Sequence, residues 1–481
     1  MKSYKVFLVI ICLSAQNLFS QMVGSIGAGD VRSSSMGNTF TTSAFGLHAL
    51  GSNPANLFNE GSKPVELIIP FPLPSISVQA GTNFLTLDEY NYFFGTKTTD
   101  PVTGKETGRY LTEADKTRLK NLFNDGGTVS EDVQFQLFAL LIKPTKTFGT
   151  ISFSVGEIIS SSLTLPKGII DLGIDGNLPN RVYNFNDTKL NGWWLRKYSL
   201  SFANILDIFP KFKSFTVGFS INLIHGFAYA GLDHVNTELT TGSGNIITGK
   251  GDYVAYSAFS PDLKVKYDFD NTTTKQDLNA TPFPAPAGKG VGLDFGINAK
   301  INDVLSFGLS VTDLGQIKWD KNTAQYSSNK PIYLDDLSNK DQVDSLVKAL
   351  TGKDSGKFID GFTTKLATAL HFGASIQADK MLKKGFPGKL LLAFDYNQGF
   401  NEMPGNSMKP RFSTGADWVL NWFAFRTGVS IGGIDKFNWG LGFGLDFGLL
   451  EINFGTSDFE SVVSPNSAKR VSIGIDSVWK F

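Results

Sequence analysis

From Phe437 the odd positions are Phe437, Trp439, Leu441, Phe443, Leu445 and Phe447, and the even ones are Asn438, Gly440, Gly442, Gly444, Asp446 and Gly448. Successive side chains of a strand point to opposite faces. Such a strand therefore has one apolar face and one small or polar face. The same split occurs at Val291, Leu293, Phe295 and Ile297 against Gly290, Gly292, Asp294, Gly296 and Asn298. It recurs at Phe215, Val217, Phe219, Ile221 and Leu223 against Thr216, Gly218, Ser220 and Asn222. Leu366, Leu370, Phe372 and Ile376 stand likewise against Lys365, His371, Gly373, Ser375 and Gln377. Soluble sandwiches also alternate, but their strands average about 5–6 residues. These stretches run to about ten or more, the length of a tilted strand that crosses a bilayer.

The alternation predicts fourteen strands: 65–84 (interrupted by Pro70, Pro72 and Pro74), 132–143, 148–158, 190–206, 214–230, 290–299, 304–319, 362–378, 388–399, 410–420, 422–432, 437–447, 449–457 and 469–480. Their connections alternate in length. Those at 85–131, 159–189, 231–289, 320–361 and 400–409 are long, and 433–436 and 458–468 are intermediate. Those at 144–147, 207–213, 300–303, 379–387, 421 and 448 are short. Short periplasmic turns, long outer loops and an even strand number mark the outer-membrane barrels of Gram-negative bacteria. The expected fold is all-β, a 14-stranded antiparallel transmembrane β-barrel over 65–481, with both termini periplasmic and outer-membrane lipid around it. Two short loop helices are expected. Thr112 to Asn124 starts with Thr112 and Asp115 in capping-box spacing, and Gln342 to Leu350 is the second.

Composition sharpens this picture. Lys+Arg and Asp+Glu are 44 each, which excludes nucleic-acid binding through bulk basic charge. Charged residues are 18% against a usual ~25%, and the chain is rich in both Gly (50) and Phe (41). Residues 1–20 read as a signal peptide, with Lys2 and Lys5 before an apolar run from Val6 to Leu13. Cys12, the one cysteine, lies in it, so the chain from residue 21 on offers no thiolate or Cys metal ligand. No later apolar run is long enough for a membrane helix.

Motifs that suggest chemistry fail on context. Gly428-Val429-Ser430-Ile431-Gly432 fits the nucleophile-elbow spacing, but that elbow needs a strand followed by a helix. Gly440, Gly442 and Gly444 fall at period two inside a strand rather than before a helix, so they do not make a phosphate loop. His48, His225, His234 and His371 lack the spacing and acidic companions of a zinc site. No enzyme, cofactor or metal is expected. By parity Asp294, Arg411, Asp417, Arg426 and Asp446 face the lumen, as a compensating charge network or a polar lining.

The stretch 24–58 differs from the rest. It opens Gly24-Ser-Ile-Gly27-Ala-Gly-Asp30-Val-Arg32-Ser-Ser-Ser-Met36-Gly37 and continues to Asn53-Pro54-Ala55. This resembles the N-terminal hatch of FadL-like long-chain fatty-acid transporter barrels and of related barrel subunits of a secretion system. Gly290 to Ile297, Asp313-Leu314-Gly315 and Trp319 are similar to uncharacterised members of that superfamily. The resemblance implies that residues 21–64 form a plug in which Asp30, Arg32, Met36, Gly37, Asn53, Pro54 and Ala55 hold the hatch positions. It implies passage of small, hydrophobic molecules, with sideways exit through a wall defect for which Gly156-Glu157 is the candidate. The alternative is a non-conducting barrel that scaffolds secretion or surface partners through its outer loops. The terminal strand ends in Phe481, resembling the signal read by the barrel assembly machinery. Asp476 stands where that signal has glycine.

Overall fold

Because the alternation repeats with turns between, each stretch can bond to the next, and the last can return to the first. The computed structural model shows this closure. It describes residues 30–481 apart from 60, 96, 100–103, 105, 125, 146–147, 177, 270–280, 282, 336–338, 352–354 and 383–384. The signal peptide, Cys12, Gly24 and Gly27 thus lie outside the described residues.

Fourteen antiparallel strands form the wall. In chain order they are β1 (Val65–Ile68 and Ser75–Thr82), β2 (Gly127–Thr145), β3 (Gly149–Leu165), β4 (Lys189–Ile205), β5 (Ser214–Val235), β6 (Gly288–Lys300) and β7 (Leu305–Trp319). There follow β8 (Phe362–Lys365 and Ala369–Gln377), β9 (Lys389–Gly399), β10 (Arg411–Leu420), β11 (Phe423–Gly432), β12 (Lys436–Asp446), β13 (Leu450–Thr456) and β14 (Arg470–Lys480). Each pairs with its sequence neighbours, and β1 pairs with β14 through Leu67↔Trp479 and Val78↔Ile473, which closes the ring. Val65 and Phe481 complete the seam with two reciprocal backbone hydrogen bonds of 3.2 and 2.8 Å. The gap in β1 holds Pro70, Pro72 and Pro74, which have no N–H to give to a ladder.

The faces divide as the alternation requires. Phe295, Phe372, Phe437 and Phe443 are exposed on the outside, whereas Asn222, Asp294, His371 and Asn438 are buried toward the lumen. Leu366 departs from this pattern. β8 is two pieces rather than one strand, and the break at 366–368 turns Leu366 into the lumen beside Trp193 and Leu195. Asn401 Nδ2 bonds Leu366 O at 2.7 Å and Asn406 Nδ2 bonds Thr368 O at 2.9 Å, so loop side chains satisfy the carbonyls freed there.

The long connections are more ordered than a loop reading implies. Ile247–Phe259 pairs with the C-terminal end of β5 and with Thr323–Leu334, extending the sheet beyond the barrel. Glu238–Thr241 and Arg181–Asn184 join it. Tyr183, Phe185, Leu239, Ile247, Ile332 and Leu334 form a small second core there. The helices at Glu113–Leu122, with both bonds of the Thr112–Asp115 capping box, and Lys340–Thr351 are the two expected ones. A third, Lys167–Asp175, was not expected; it packs Ile169 and Leu172 on the second core.

Phe295 lies midway along β6 and is half exposed on the outer face. Phe295→Arg is expected to cost ~2–4 kcal/mol, read by denaturant unfolding in lipid vesicles. No loss at that site would mean that this face does not meet lipid.

Candidate functional site

The lumen is occupied by the chain's own N-terminal segment. Asp30 caps the short helix Val31–Ser35, its Oδ2 accepting from Ser33 N at 2.8 Å. Gly37 leaves that helix at φ 67°, a conformation that favours glycine. The segment then turns through Gly46–Ala49 to Asn53, which caps Pro54–Leu57 by accepting from Ala55 N at 3.1 Å.

This segment approaches the wall closely because the wall's inner face is glycine. A Cβ on Gly428 would lie 2.3 Å from the Met36 backbone, and one on Gly440 2.4 Å from Ser34 O. Likewise a Cβ on Gly218 would meet Pro54 at 2.3 Å. The small-residue face of the strands is thus a seat for a second layer of backbone. Met36 and Ala55 are fully buried in it.

Polar bonds fix the segment. Arg32 Nη2 lies 2.6 Å from Asp417 Oδ2, and Arg426 Nε binds the other oxygen of Asp417 at 3.1 Å. Asn53 Nδ2 donates to Ile297 O on the wall at 3.1 Å and to Thr41 O within the segment at 3.0 Å. Asp395 takes the largest share: Oδ2 accepts from Phe40 N, Thr41 N and Thr41 Oγ1 at 2.8, 2.8 and 2.7 Å. Its sequence surroundings resemble those of any lumen-side Asp, so nothing singled it out. Asp446 requires correction. It is the last residue of β12, at the start of a short turn, nearly half exposed, with Lys480 at 3.2 Å. The strand's alternation gave the right face, but the strand ends there. Arg411 is buried on the lumen side, with Asp395 and Asp435 as electrostatic neighbours. Asp294 accepts from Asn222 Nδ2 at 2.9 Å and Asp313 N at 2.7 Å, inside the wall's own network.

Asp30 pairs with His48 rather than with a wall cation. His48 Nδ1 stands 2.8 Å from Asp30 Oδ1, and Nε2 3.5 Å from Glu451 Oε1. Burial disfavours a charged ring, but these carboxylates outweigh it and raise the His48 pKa well above the usual imidazole value. Asp476 joins the pair, with donor atoms of Asp30, His48 and Asp476 all within 4.8 Å of one another. These three are far apart in sequence, so spacing could not reveal them.

Between segment and wall lies a cavity of about 210 Å³. Phe40, Leu47 and His48 line it on one side, and Phe135, Trp193 and Leu195 on the other. It reaches an irregular patch of wall. Gln136 pairs with Gly156 and Phe138 with Val155, so Leu137 is an extra residue. The bulge is therefore on β2, facing Gly156, rather than on β3 itself. Gln136 Nε2 closes it, donating to Phe138 O at 2.8 Å and Val155 O at 2.9 Å. Glu157 points to Trp194 Nε1 at 2.7 Å and Arg196 Nε at 2.5 Å. Ser430 lies mid-strand with its hydroxyl on Asn438 Oδ1 at 3.4 Å.

Residues 63–457 match the model of a family described as "Family of unknown function (DUF5723)". No curated protein matches the chain. Among solved structures the chain is similar to the Pseudomonas putida toluene transporter TodX, at 13% identity, with 95% of this chain and 98% of that one covered and a TM-score of 0.42. It is similar to the monoaromatic hydrocarbon channel CymD at 12% identity, 95% and 98% coverage and a TM-score of 0.43. For a Pseudomonas aeruginosa FadL homologue the values are 12%, 96%, 100% and 0.40. At such distances the ligand of this chain has to be found from its own residues.

Gly428→Ala is expected to unseat the segment without opening the ladder, so residues 30–58 of the folded barrel become open to added protease. Gly61→Ala, where nothing lies within 4 Å of a new Cβ, should leave the cleavage pattern unchanged. Equal protection in both variants would remove the glycine seat as the cause of burial.

Proposed function

This chain belongs to DUF5723, a family of unknown function, and we propose that it is an outer-membrane channel for small, neutral hydrophobic molecules, gated by the N-terminal segment. The observation that carries this reading is the cavity between segment and wall, where Phe40, Leu47, Phe135, Trp193, Leu195 and Leu366 supply apolar surface among polar side chains, and which touches the β2 bulge. Its volume of about 210 Å³ exceeds the ~150 Å³ that houses benzene in an engineered cavity. It falls short of the ~300–1,000 Å³ of drug-sized pockets. A solute of about one ring fits that range.

The charge of the lining narrows the class further. Asp30, Asp132, Glu157, Asp313 and Asp476 line the cavity against Lys197 and His48. Lys197 is already taken by Asp313 at 2.6 Å. An anion such as a fatty-acid carboxylate would enter a field of its own sign, so a neutral solute is favoured. In this reading the long connections face outward and both termini lie in the periplasm, where Phe481 is offered to the barrel assembly machinery. The segment with Asp30, Arg32, Met36, Gly37, Asn53, Pro54 and Ala55 acts as the plug. Gln136 acts as the latch of a sideways exit beside Gly156 and Glu157, since its side chain holds the two carbonyls that the bulge leaves over.

A second reading, a scaffold for surface or secretion partners, draws on the outer sheet around Ile247–Phe259, which presents a folded surface rather than loose loops. Uptake into vesicles separates the two. Deletion of residues 24–58 is expected to speed entry of a neutral single-ring hydrocarbon several-fold, and Gln136→Ala to do so without removing the segment. A carboxylated analogue should lag in both. If neither variant changes the uptake of any neutral solute, the scaffold reading stands in its place.

A further inference from the structure

We infer that Asp30, His48 and Asp476 form a binding site for one first-row divalent cation, which ties the N-terminal segment to the last strand of the wall. One imidazole nitrogen and two carboxylate oxygens are a donor set suited to Zn²⁺, Co²⁺ or Mn²⁺. In a tetrahedral site, metal bonds of about 2.0–2.2 Å place donors roughly 3.4 Å apart. Donor atoms within 4.8 Å of one another need to close by ~1.4 Å at most, and the Asp30–His48 pair at 2.8 Å to open by ~0.6 Å. The group is buried, His48 at 8% and Asp476 at 3% exposure, yet all three residues line the lumen cavity, which gives an ion a way in.

One further observation points to a cation: His48 Nδ1 turns to Asp30 while Nε2 faces the Glu451 carboxylate at 3.5 Å, the outer partner that orients a ligating imidazole. The ring gives up its proton when the metal binds, as ligating imidazoles do. Asp476 spends one oxygen on Asn453 Nδ2 at 2.7 Å, a bond that would orient it toward the ion.

The test uses the full chain in detergent, stripped with chelator, and does not read transport, so it stands or falls apart from the channel reading. Co²⁺ should give a visible d–d band with one equivalent bound, and Zn²⁺ should abolish it. Calorimetry with Zn²⁺ should show His48→Gln and Asp476→Asn each weakening binding by more than the ~10–100-fold typical of an outer-shell change. If the wild-type chain gives no Co²⁺ band, the site is refuted even where a variant fails to fold. If it binds Zn²⁺ no more tightly than Asp476→Asn, a proton on His48, not a metal, meets the charge.

Discussion

A backbone that crosses lipid finds no water, so each N–H and C=O at that depth must bond within the protein. The seam between β1 and β14 is where this chain meets the requirement last. Ladder pairs around Leu67↔Trp479 and Val78↔Ile473, finished by Val65 and Phe481, leave the sheet without an edge. Closure has a second effect. It creates an interior whose shape is set by whatever side chains the inner face carries, and here many of them are glycine. A wall with that lining can hold a folded segment at backbone distance, and Met36 and Pro54 occupy the space that side chains would fill.

The charges inside follow from the same enclosure. A buried ion without a partner is costly, and one flanked on both sides by opposite charge is tolerated. Arg32, Asp417, Arg426, Glu451 and Lys480 alternate in sign from the segment across four strands. The segment supplies one end of this chain, so the wall's electrostatics and the segment's placement depend on each other. On the segment's side the alternation continues through His48, which stands between Asp30 and Glu451.

The barrel was legible because lipid demands an unbroken apolar stripe of ten or so residues per strand, and period two is hard to mistake at that length. Proline at 70, 72 and 74 gave away the gap in β1. The break in β8 carried no such marker, since Leu366 continues the alternation while the chain does not; the loop residues Asn401 and Asn406 that stabilise it are remote. Strands such as Thr323–Leu334 lie beyond the barrel wall and need only a few apolar positions, so the pattern is short there. Asp30, Arg32, Met36 and Asn53 were singled out as a group by resemblance to a known hatch. Their partners Asp395, His48 and Asp476 were not, because closeness across a lumen leaves no trace in spacing. The Leu137 bulge was displaced by one strand for a related reason: glycine at 156 marks where the ladder gives, and the extra residue sits opposite.

The glycine seat of the N-terminal segment, Gly218, Gly296, Gly415, Gly428 and Gly440, and its carboxylate partners Asp395 and Asp417 are all on strands from β5 onward. The part of the chain that leaves the ribosome first can therefore rest early only through Leu47 and Leu57, on Ile68, Leu141 and Ala203, while its other contacts wait for most of the chain. During assembly Asp30 to Thr41 must wait while contacts separated by hundreds of residues come together, an order that makes such folds slow. Occupancy of the lumen becomes a record of completion, since only a finished ring presents all its glycines at once.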